Sequence, residues 1–447
     1  MTAHKMFSIP VEQQHAAVAP MPVVCSPSKL QNNIIRNCDV IFWDEITMTP
    51  ASVVEGVDML LRDIKGQNES FGGCVVVFSG DFRQCLPVIL DNPSLEDVFR
   101  RSILCCSFIS KIKFLKLTDN MRILSSSDPA PLKELKKRQA RDLLNIGSGF
   151  NIENGSGLED LGLLCDNNSQ FFDSSSMKRN EFLKIIYPPI VLKVAAYIEE
   201  RGRNDNQHRT LRFHVTPERV IQILADHFSS NCVLTPKNCD VKYINKKMLR
   251  SLGTKKFTLC SHQDVLQTGV NSTALRGMFS HEMDKFEDAT FPPNKLNLKV
   301  GCPVMLIRNL DINRGLVNGT RMIVIKINEE QHVLECVILA GSFKGDNVSI
   351  PPILFQHEHD SKCKLDFTRR QFPIKLCFAI SIMKSQGQTF DGKVGIYLPK
   401  DVFSHGQLYF ALSRCTSISN LTFCLKKHNN RPIKLLFNMV CCSVTAR

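Results

Sequence analysis

Apolar residues in this chain gather into short unbroken runs divided by polar turns. Val40-Ile41-Phe42-Trp43 and Cys74-Val75-Val76-Val77-Phe78 lack polar alternation. Such runs predict strands buried on both faces, as in a parallel sheet covered by helices. Between them Val53, Val57, Leu61 and Ile64 recur at helical spacing, with Thr49-Pro50 as a start signal and Gly66 as a stop. Strand, helix and strand together predict a parallel crossover. Phe114-Leu115-Lys116-Leu117 predicts a third strand delivering its end to the same edge.

The middle of the chain is less patterned. Residues 123–131 read as a linker, 147–157 as a glycine-rich turn region, 166–178 as polar loop and 201–212 as a charged insertion. Order returns with a helical face at Val220, Ile221, Leu224 and His227/Phe228, then a strand at Cys232-Val233-Leu234-Thr235. From about Leu296 the runs are short and β-like, at Val304-Met305-Leu306-Ile307, Met322-Ile323-Val324-Ile325 and residues 333–339. Asn318-Gly319 is a hairpin signal between the first two. A small inserted barrel is expected there. Phe378-Ala379-Ile380-Ser381-Ile382 and Val394-Gly395-Ile396-Tyr397-Leu398 resume the longer runs, and Ser404 with Gln407 forms a capping box before Leu408, Ala411 and Leu412.

Composition narrows the class. A chain of 447 residues has room for two or three domains. Its 56 basic and 43 acidic residues give +13 and a pI near 9.0, which favours a polyanionic partner such as nucleic acid. Eighteen cysteines include no Cys-x-x-Cys spacing, so no zinc pattern is present. Cys74 and Cys377 lie in apolar runs and read as small buried hydrophobes with reduced thiols. His357, His359, Asp360 and Cys363 match no usual metal-ligand spacing. Residues 1–20 hold no continuous apolar core, and 185–198 are broken by Pro188, Pro189 and Lys193. A soluble intracellular protein without membrane contact is the expectation.

The candidate chemistry sits at the strand ends, where open α/β sheets bind ligands. Asp44 and Glu45 follow the first run, suited respectively to holding Mg²⁺ and to orienting or deprotonating a water. The second run ends in Ser79-Gly80-Asp81-Phe82-Arg83-Gln84, bringing an amide, and the third in Thr118-Asp119-Asn120-Met121-Arg122, bringing a cation. Metal ligand, base, amide and arginine on one edge predict a nucleotide site. Arg414 ends the 407–412 helix, where a cation also complements the helix terminus.

In order, the strings VIFWDEI, VVVFSGDFRQCLPVI, KLTDNMRI, MKSQGQTF and FSHGQLYFALSR resemble the motifs of the petite-integration-frequency-type (superfamily 1B) DNA helicases, notably the helicase portion of Helitron transposon proteins. TAHKMFSIP, CVLTPKNCDVKYIN, LKVGCPVMLIRNLD, RGLVNGTRM and RRQFPIKLCFAI support the likeness, which is weakest over residues 150–215. The resemblance implies an α/β fold of two RecA-like parallel-sheet domains. Residues 1–118 would form the first, truncated at its N-terminus. Residues 119–295 and 373–447 would form the second, with an SH3-like β-barrel insertion at 296–372.

It further implies ATP hydrolysis with Mg²⁺, driving 5′-to-3′ movement on single-stranded DNA and unwinding at duplex junctions. Asp44 would be the metal ligand, Glu45 the catalytic base and Gln84 the sensor of the terminal phosphate. Arg122 and Arg414 would reach the phosphates. Lys384, Ser385, Gln386, Gly387 and Thr389 would couple nucleotide to DNA, with Gly387 on the nucleotide side. Thr2, His4 and Phe7 would contact DNA, although Lys5 stands where the family usually has serine. A monomer in the nucleus is expected, and repair, recombination and telomere maintenance are family associations. One departure stands out. No Gly-x-x-x-x-Gly-Lys-[Ser/Thr] loop occurs in the 447 residues, whereas the family carries it ahead of the TAHKMF-like segment. Weak or absent ATP hydrolysis follows, under three readings: a helicase whose record is incomplete, an inactive Helitron relic, or a DNA-binding module that kept its basic grip.

Overall fold

The computed structural model describes residues 2–10, 22–87, 95–124, 127–148, 170–173, 176–195, 216–266, 280–286, 288, 290–330, 332–358, 363, 365–400, 402–404 and 406–425. The chain divides into two compact units, Met1–Asp166 with Asp401–Ser413 and Asn430–Arg447, and Asn167–Lys400 with Arg414–Asn429. Residues 119–166 and 401–413 group with the first unit, whereas the resemblance implies the second RecA-like domain for them.

The first unit runs α1 (Ala3–Phe7), α2 (Lys29–Arg36), β1 (Val40–Trp43), α3 (Ala51–Lys65), β2 (Val75–Phe78), α4 (Leu95–Arg101), α5 (Met121–Leu124) and α6 (Ala130–Ser148). β1 and β2 are parallel, with Val40 opposite Val75 and Trp43 opposite Phe78. α3 starts one residue later than predicted, at Ala51, because Pro50 takes an extended conformation and serves as its N-cap. Gly66 ends it in the left-handed region, as predicted. Its Val53, Val54, Val57 and Leu61 are fully buried against Trp43, Phe7, Ile9 and Val23. Asp58 on the same helix is buried, accepts the Phe71 amide at 2.5 Å and pairs with Arg62 at 2.6 Å.

Two expectations fail here. The strands are covered on one face only: Ile41, Trp43, Val76 and Phe78 meet the core, while Phe42 is 80% exposed and Val75 59%. An apolar run cannot by itself distinguish one covered face from two. Residues 112–120 form no strand, and Leu115 and Leu117 stand exposed, because no neighbouring strand pairs with them.

In the second unit a parallel sheet has the order Ala379–Ser381 (β15), Cys232–Thr235 (β4), Val394–Leu398 (β16), Leu421–Leu425 (β17), Gln170–Asp173 (β3). Helices α7 (Ser176–Ile186), α8 (Pro189–Val194), α9 (Pro217–Ser230) and α10 (Asn238–Ser251) accompany it. The intervening residues form antiparallel structure. One sheet orders Asn347–Ile350 (β11), Val333–Ile338 (β10), Arg321–Asn328 (β9), Pro303–Leu306 (β8) and Ile374–Leu376 (β14). Another orders Ile353–His357 (β12), Phe367–Gln371 (β13) and His262–Val265 (β6), and Lys256–Cys260 (β5) pairs with Lys295–Lys299 (β7). Antiparallel pairing therefore extends beyond 296–372 on both sides, since β5 and β6 find partners far along the chain. β8 and β9 do pair, with Gly319 in the left-handed region as the signal required, but a longer loop joins them.

Arg321 ties this antiparallel region to the parallel sheet's helices. Its guanidinium is buried, donates to the carbonyl oxygens of Phe228 at 2.6 Å and of Ser229 and Asn231 at 3.4 Å, and lies 5.1 Å from the Phe390 ring centre. Those carbonyls end α9, where a cation is favoured. Of the thiols beside this guanidinium, Cys232 and Cys377, burial pushes Cys232 up to about 12. His357 is buried beside Phe286, with ring centres 4.1 Å apart, and its Nε2 faces the Cys363 carbonyl. His359 and Asp360 lie outside the described residues. Among the described residues no cluster of three or more metal-ligating groups occurs, and no helix is long and apolar enough to cross a membrane.

Arg321→Met should cost about 2–3 kcal/mol by leaving buried carbonyls unpaired, read as a lower urea midpoint with unchanged slope. The His227 Nε2 donates to Ile186 O at 3.1 Å and its Nδ1 faces the Asn231 amide at 3.4 Å. Burial holds its pKa below 6.5. The folded state thus binds this proton less readily than the unfolded chain, so stability is lost as pH falls through about 6.5. Melting temperature should drop between pH 7.5 and 5.5, and His227→Gln should flatten that drop.

Candidate nucleotide site

At the C-terminal end of β1 the backbone locks to β2. Ser79 N donates to Trp43 O at 3.0 Å, and Ile46 N donates back to Ser79 O at 2.9 Å. The intervening Glu45 adopts a left-handed conformation, φ 54° and ψ 39°. That region costs a non-glycine residue about 1 kcal/mol or more, and such strain gathers at functional sites. The Asp44 Oδ1 accepts from Ser79 Oγ at 2.5 Å and from the Glu45 amide at 3.0 Å. The second carboxylate oxygen has no partner among the described residues and stands on the exposed side of the edge.

Gln84 is presented by the turn after β2, whose Gln84 N donates to Asp81 O at 3.0 Å. Its side-chain Oε1 is buried without a hydrogen-bond partner among the described residues. The turn is braced by groups that periodicity alone does not single out. Asp81 accepts from the Arg83 amide at 3.1 Å, pairs with its guanidinium at 3.2 Å and accepts Tyr409 Oη at 3.1 Å. Arg83 Nε also donates to Ser148 Oγ at 2.9 Å. The Tyr409 helix, Gln407–Leu412, starts at Gly406 and not at a Ser404 capping box. Gly406 has φ +70°, and a Cβ there would lie 2.3 Å from Gln84 O. Gly147 on α6 likewise leaves room for the Tyr409 ring. The signal for these braces is present in the strings SGDFRQ and HGQLYFALSR, where polar and aromatic residues interrupt apolar runs.

The second unit carries its own cluster. β15 leads into Lys384, Ser385, Gln386, Gly387, Gln388 and Thr389. Gly387 sits at φ +72°, and Arg414, buried at 9% exposure, donates to Gln388 O at 3.5 Å and accepts Phe390 N at 2.8 Å. Burial lowers the Lys384 pKa, with Asp288 opposing. Gln386 and Thr389 are exposed, whereas Ser385 is buried and donates to Ile382 O at 2.5 Å, which commits its hydroxyl to the turn. In the first unit Thr2 caps α1 by accepting Lys5 N, and His4 is exposed. Phe7, the third of the expected DNA-contacting residues, stacks on Trp43 with ring centres 5.8 Å apart and is buried in the core. Arg122 lies on α5; its side chain is outside the described set.

Residues 1–156 match the family model of the PIF1-like helicases, and residues 284–327 match that of the DNA helicase Pif1 2B domain. Over these two stretches the chain is similar to the PIF1-like helicases. It is 23% identical over 435 residues to ATP-dependent DNA helicase PIF7 of Trypanosoma brucei brucei, covering 86% of this chain and 36% of that protein. It is 37% identical over 175 residues to ATP-dependent DNA helicase PIF1 of Xenopus laevis, covering 36% and 26%. ATP-dependent DNA helicase Pif1 of Campylobacter jejuni is 25% identical over 394 residues, covering 87% and 70%. The chain thus spans well under two thirds of the length of the Trypanosoma and Xenopus relatives. In fold it is similar to the crystal structure of Bacteroides Pif1 bound to ssDNA, with a TM-score of 0.56 at 20% identity, over 95% of this chain and 78% of that one. Pif1 helicase from Candida albicans gives 0.56 at 19% identity, over 94% and 78%. These likenesses identify the architecture as RecA-like α/β with parallel sheets.

Gly406→Ala should lower stability by about 1–3 kcal/mol, through positive φ and collision with the Gln84 turn. Denaturant unfolding checks this, and Tyr409→Phe should cost only about 1 kcal/mol.

Proposed function

We propose that the chain is the body of an ATP-dependent DNA helicase that moves 5′ to 3′ on single-stranded DNA and opens duplex junctions. The observation that carries this reading is the Asp44 carboxylate, held from both strands with one oxygen left open, beside the strained Glu45 and the orphan Gln84 oxygen. The oxygen donors on this edge fit Mg²⁺, which takes one or two carboxylates and completes its octahedron with waters and substrate phosphates. When bound, Mg²⁺ neutralises phosphate charge and positions the triphosphate. Asp44 would hold it. Glu45 orients the attacking water and takes its proton. Gln84 senses the terminal phosphate. Arg122 and Arg414 stabilise charge developing around that phosphate, an effect worth roughly 10³–10⁵ in rate for such arginines.

Lys384, Gln386 and Thr389, with Thr2 and His4 in the first unit, supply the grip on single-stranded DNA, and Gly387 lends the turn that links grip to nucleotide. The five-stranded antiparallel sheet serves as the SH3-like insertion, and the basic balance suits a nuclear DNA partner. A glycine-rich Gly-Lys-Thr loop, absent from these 447 residues, is needed to cradle the phosphates that the other groups act on. The alternative, a Helitron-derived DNA binder without turnover, shares the grip and lacks the motor.

ATPase activity of the 447 residues, measured with single-stranded DNA, should stay at background. Joined to a P-loop segment of the family, the chain should turn over, and Glu45→Gln should then lower kcat by at least about 10². Turnover by the 447 residues alone that Glu45→Gln abolishes would overturn the requirement for the loop. A P-loop-bearing chain that stays inactive would favour the non-hydrolysing binder.

A further inference from the structure

The strongest unassigned feature is the outer face of α10. Between Asn238 and Lys256 the sequence holds six cations, Lys242, Lys246, Lys247, Arg250, Lys255 and Lys256, against the single acid Asp240. The inner face is fixed. Ile244, Met248 and Leu249 are buried, and Asn245 is clamped by donating to Leu376 O and Ala379 O at 3.0 Å and accepting Ala379 N at 2.8 Å. Tyr243, Lys246, Lys247 and Arg250 must then face outward at helical spacing.

Tyr243 is a large aromatic left 41% exposed. The Arg179 guanidinium of α7 lies 4.8 Å from its ring centre, held by donation to Tyr397 Oη at 3.2 Å. Lys247 Nζ lies 5.8 Å from the same ring and donates to Asn180 Oδ1. Lys246, Lys247 and Arg250 make no ion pair with a carboxylate among the described residues, so their charge is uncompensated there. An aromatic ring flanked by a fixed guanidinium offers a stacking platform, and a row of unpaired cations beside it offers phosphate contacts.

Topology sets where this face leads. β15 and β4 are parallel with Ser381 opposite Thr235, so Lys384–Thr389 and the start of α10 leave from the same sheet edge. With 14 residues at 1.5 Å each, α10 then runs about 21 Å back along the sheet. Arg250 therefore stands at the end remote from Lys384.

We propose that the outer face of α10, with Arg179, is a second single-stranded nucleic-acid site in which Tyr243 and Arg179 stack a base and Lys246, Lys247 and Arg250 hold phosphates. It rests on the reading of the chain as a DNA-binding protein, and extends that grip away from the edge bearing Lys384.

The test is fluorescence anisotropy of the full chain with a labelled oligo-dT, across salt concentrations, together with photocrosslinking by iodouracil-substituted strand. The Lys246→Gln/Lys247→Gln/Arg250→Gln variant should reduce the slope of log K against log salt by about 2, three contacts at about 0.7 each. Tyr243→Leu should weaken oligo-dT at least about fivefold while leaving poly-glutamate binding unchanged. Crosslinks should fall on the peptide 238–251. Circular dichroism of these surface variants should match the parent. Parent-like affinity and salt slope in both variants, with crosslinks only elsewhere, would overturn the site while leaving DNA binding intact. Equal loss of oligo-dT and poly-glutamate in Tyr243→Leu would overturn the stacking role and make the face a general polyanion surface. No binding by the parent chain would remove the DNA reading itself, and this proposal with it.

Discussion

Everything at the candidate nucleotide edge depends on how two short strands finish. Ser79 N donates to Trp43 O and Ser79 O accepts from Ile46 N just past the strand ends, and the Ser79 hydroxyl then reaches across to the Asp44 carboxylate. Register between β1 and β2 is thereby carried into side-chain position. A shift of one residue would reverse every side chain on the strand and send the carboxylate to the wrong face. The buried face of the pair, anchored by Trp43 and Phe78 against α3, is what forbids that shift. Core packing and the geometry of the candidate site are one constraint here.

The two units use different means to fix their polar groups. In the first, a charged and hydroxylic network of Asp81, Arg83, Ser148 and Tyr409 holds a turn whose own side chain, Gln84, is left unsatisfied. An unpaired buried acceptor is expensive, and it is tolerated where a ligand is to complete it. In the second, Arg414 donates to the Gln388 carbonyl, next to the left-handed turn at Gly387. Arg321 is held structurally, donating to the carbonyls that end α9 and lying over the Phe390 ring.

Much of this was legible in the residues. Local period located β1, α3, β2, β4 and β16, and Asp44, Glu45 and Gln84 fall together on one edge because parallel strands deliver their ends together. What stayed hidden is non-local. Whether Phe42 is covered depends on what lies above it, and Phe114–Leu117 has strand composition without a partner to pair with. The reach of β5 and β6 to partners downstream, and the allegiance of residues 401–413 to the first unit, are contacts between distant segments that no window sees. Phe7 shows the complement: its motif position was legible, but its burial against Trp43 was not.

The helix Gln407–Leu412 belongs to a unit whose other described elements end at Ser148. During synthesis more than two hundred residues of the second unit must leave the ribosome before Gly406 and Tyr409 exist to close over Gln84. The first unit is therefore left waiting with its turn unbraced while its neighbour is made, and loop closure of that length is slow. Nascent chains halted before residue 401 would emerge as clients for chaperones, and the order of assembly, last segment onto first unit, is written into the connectivity.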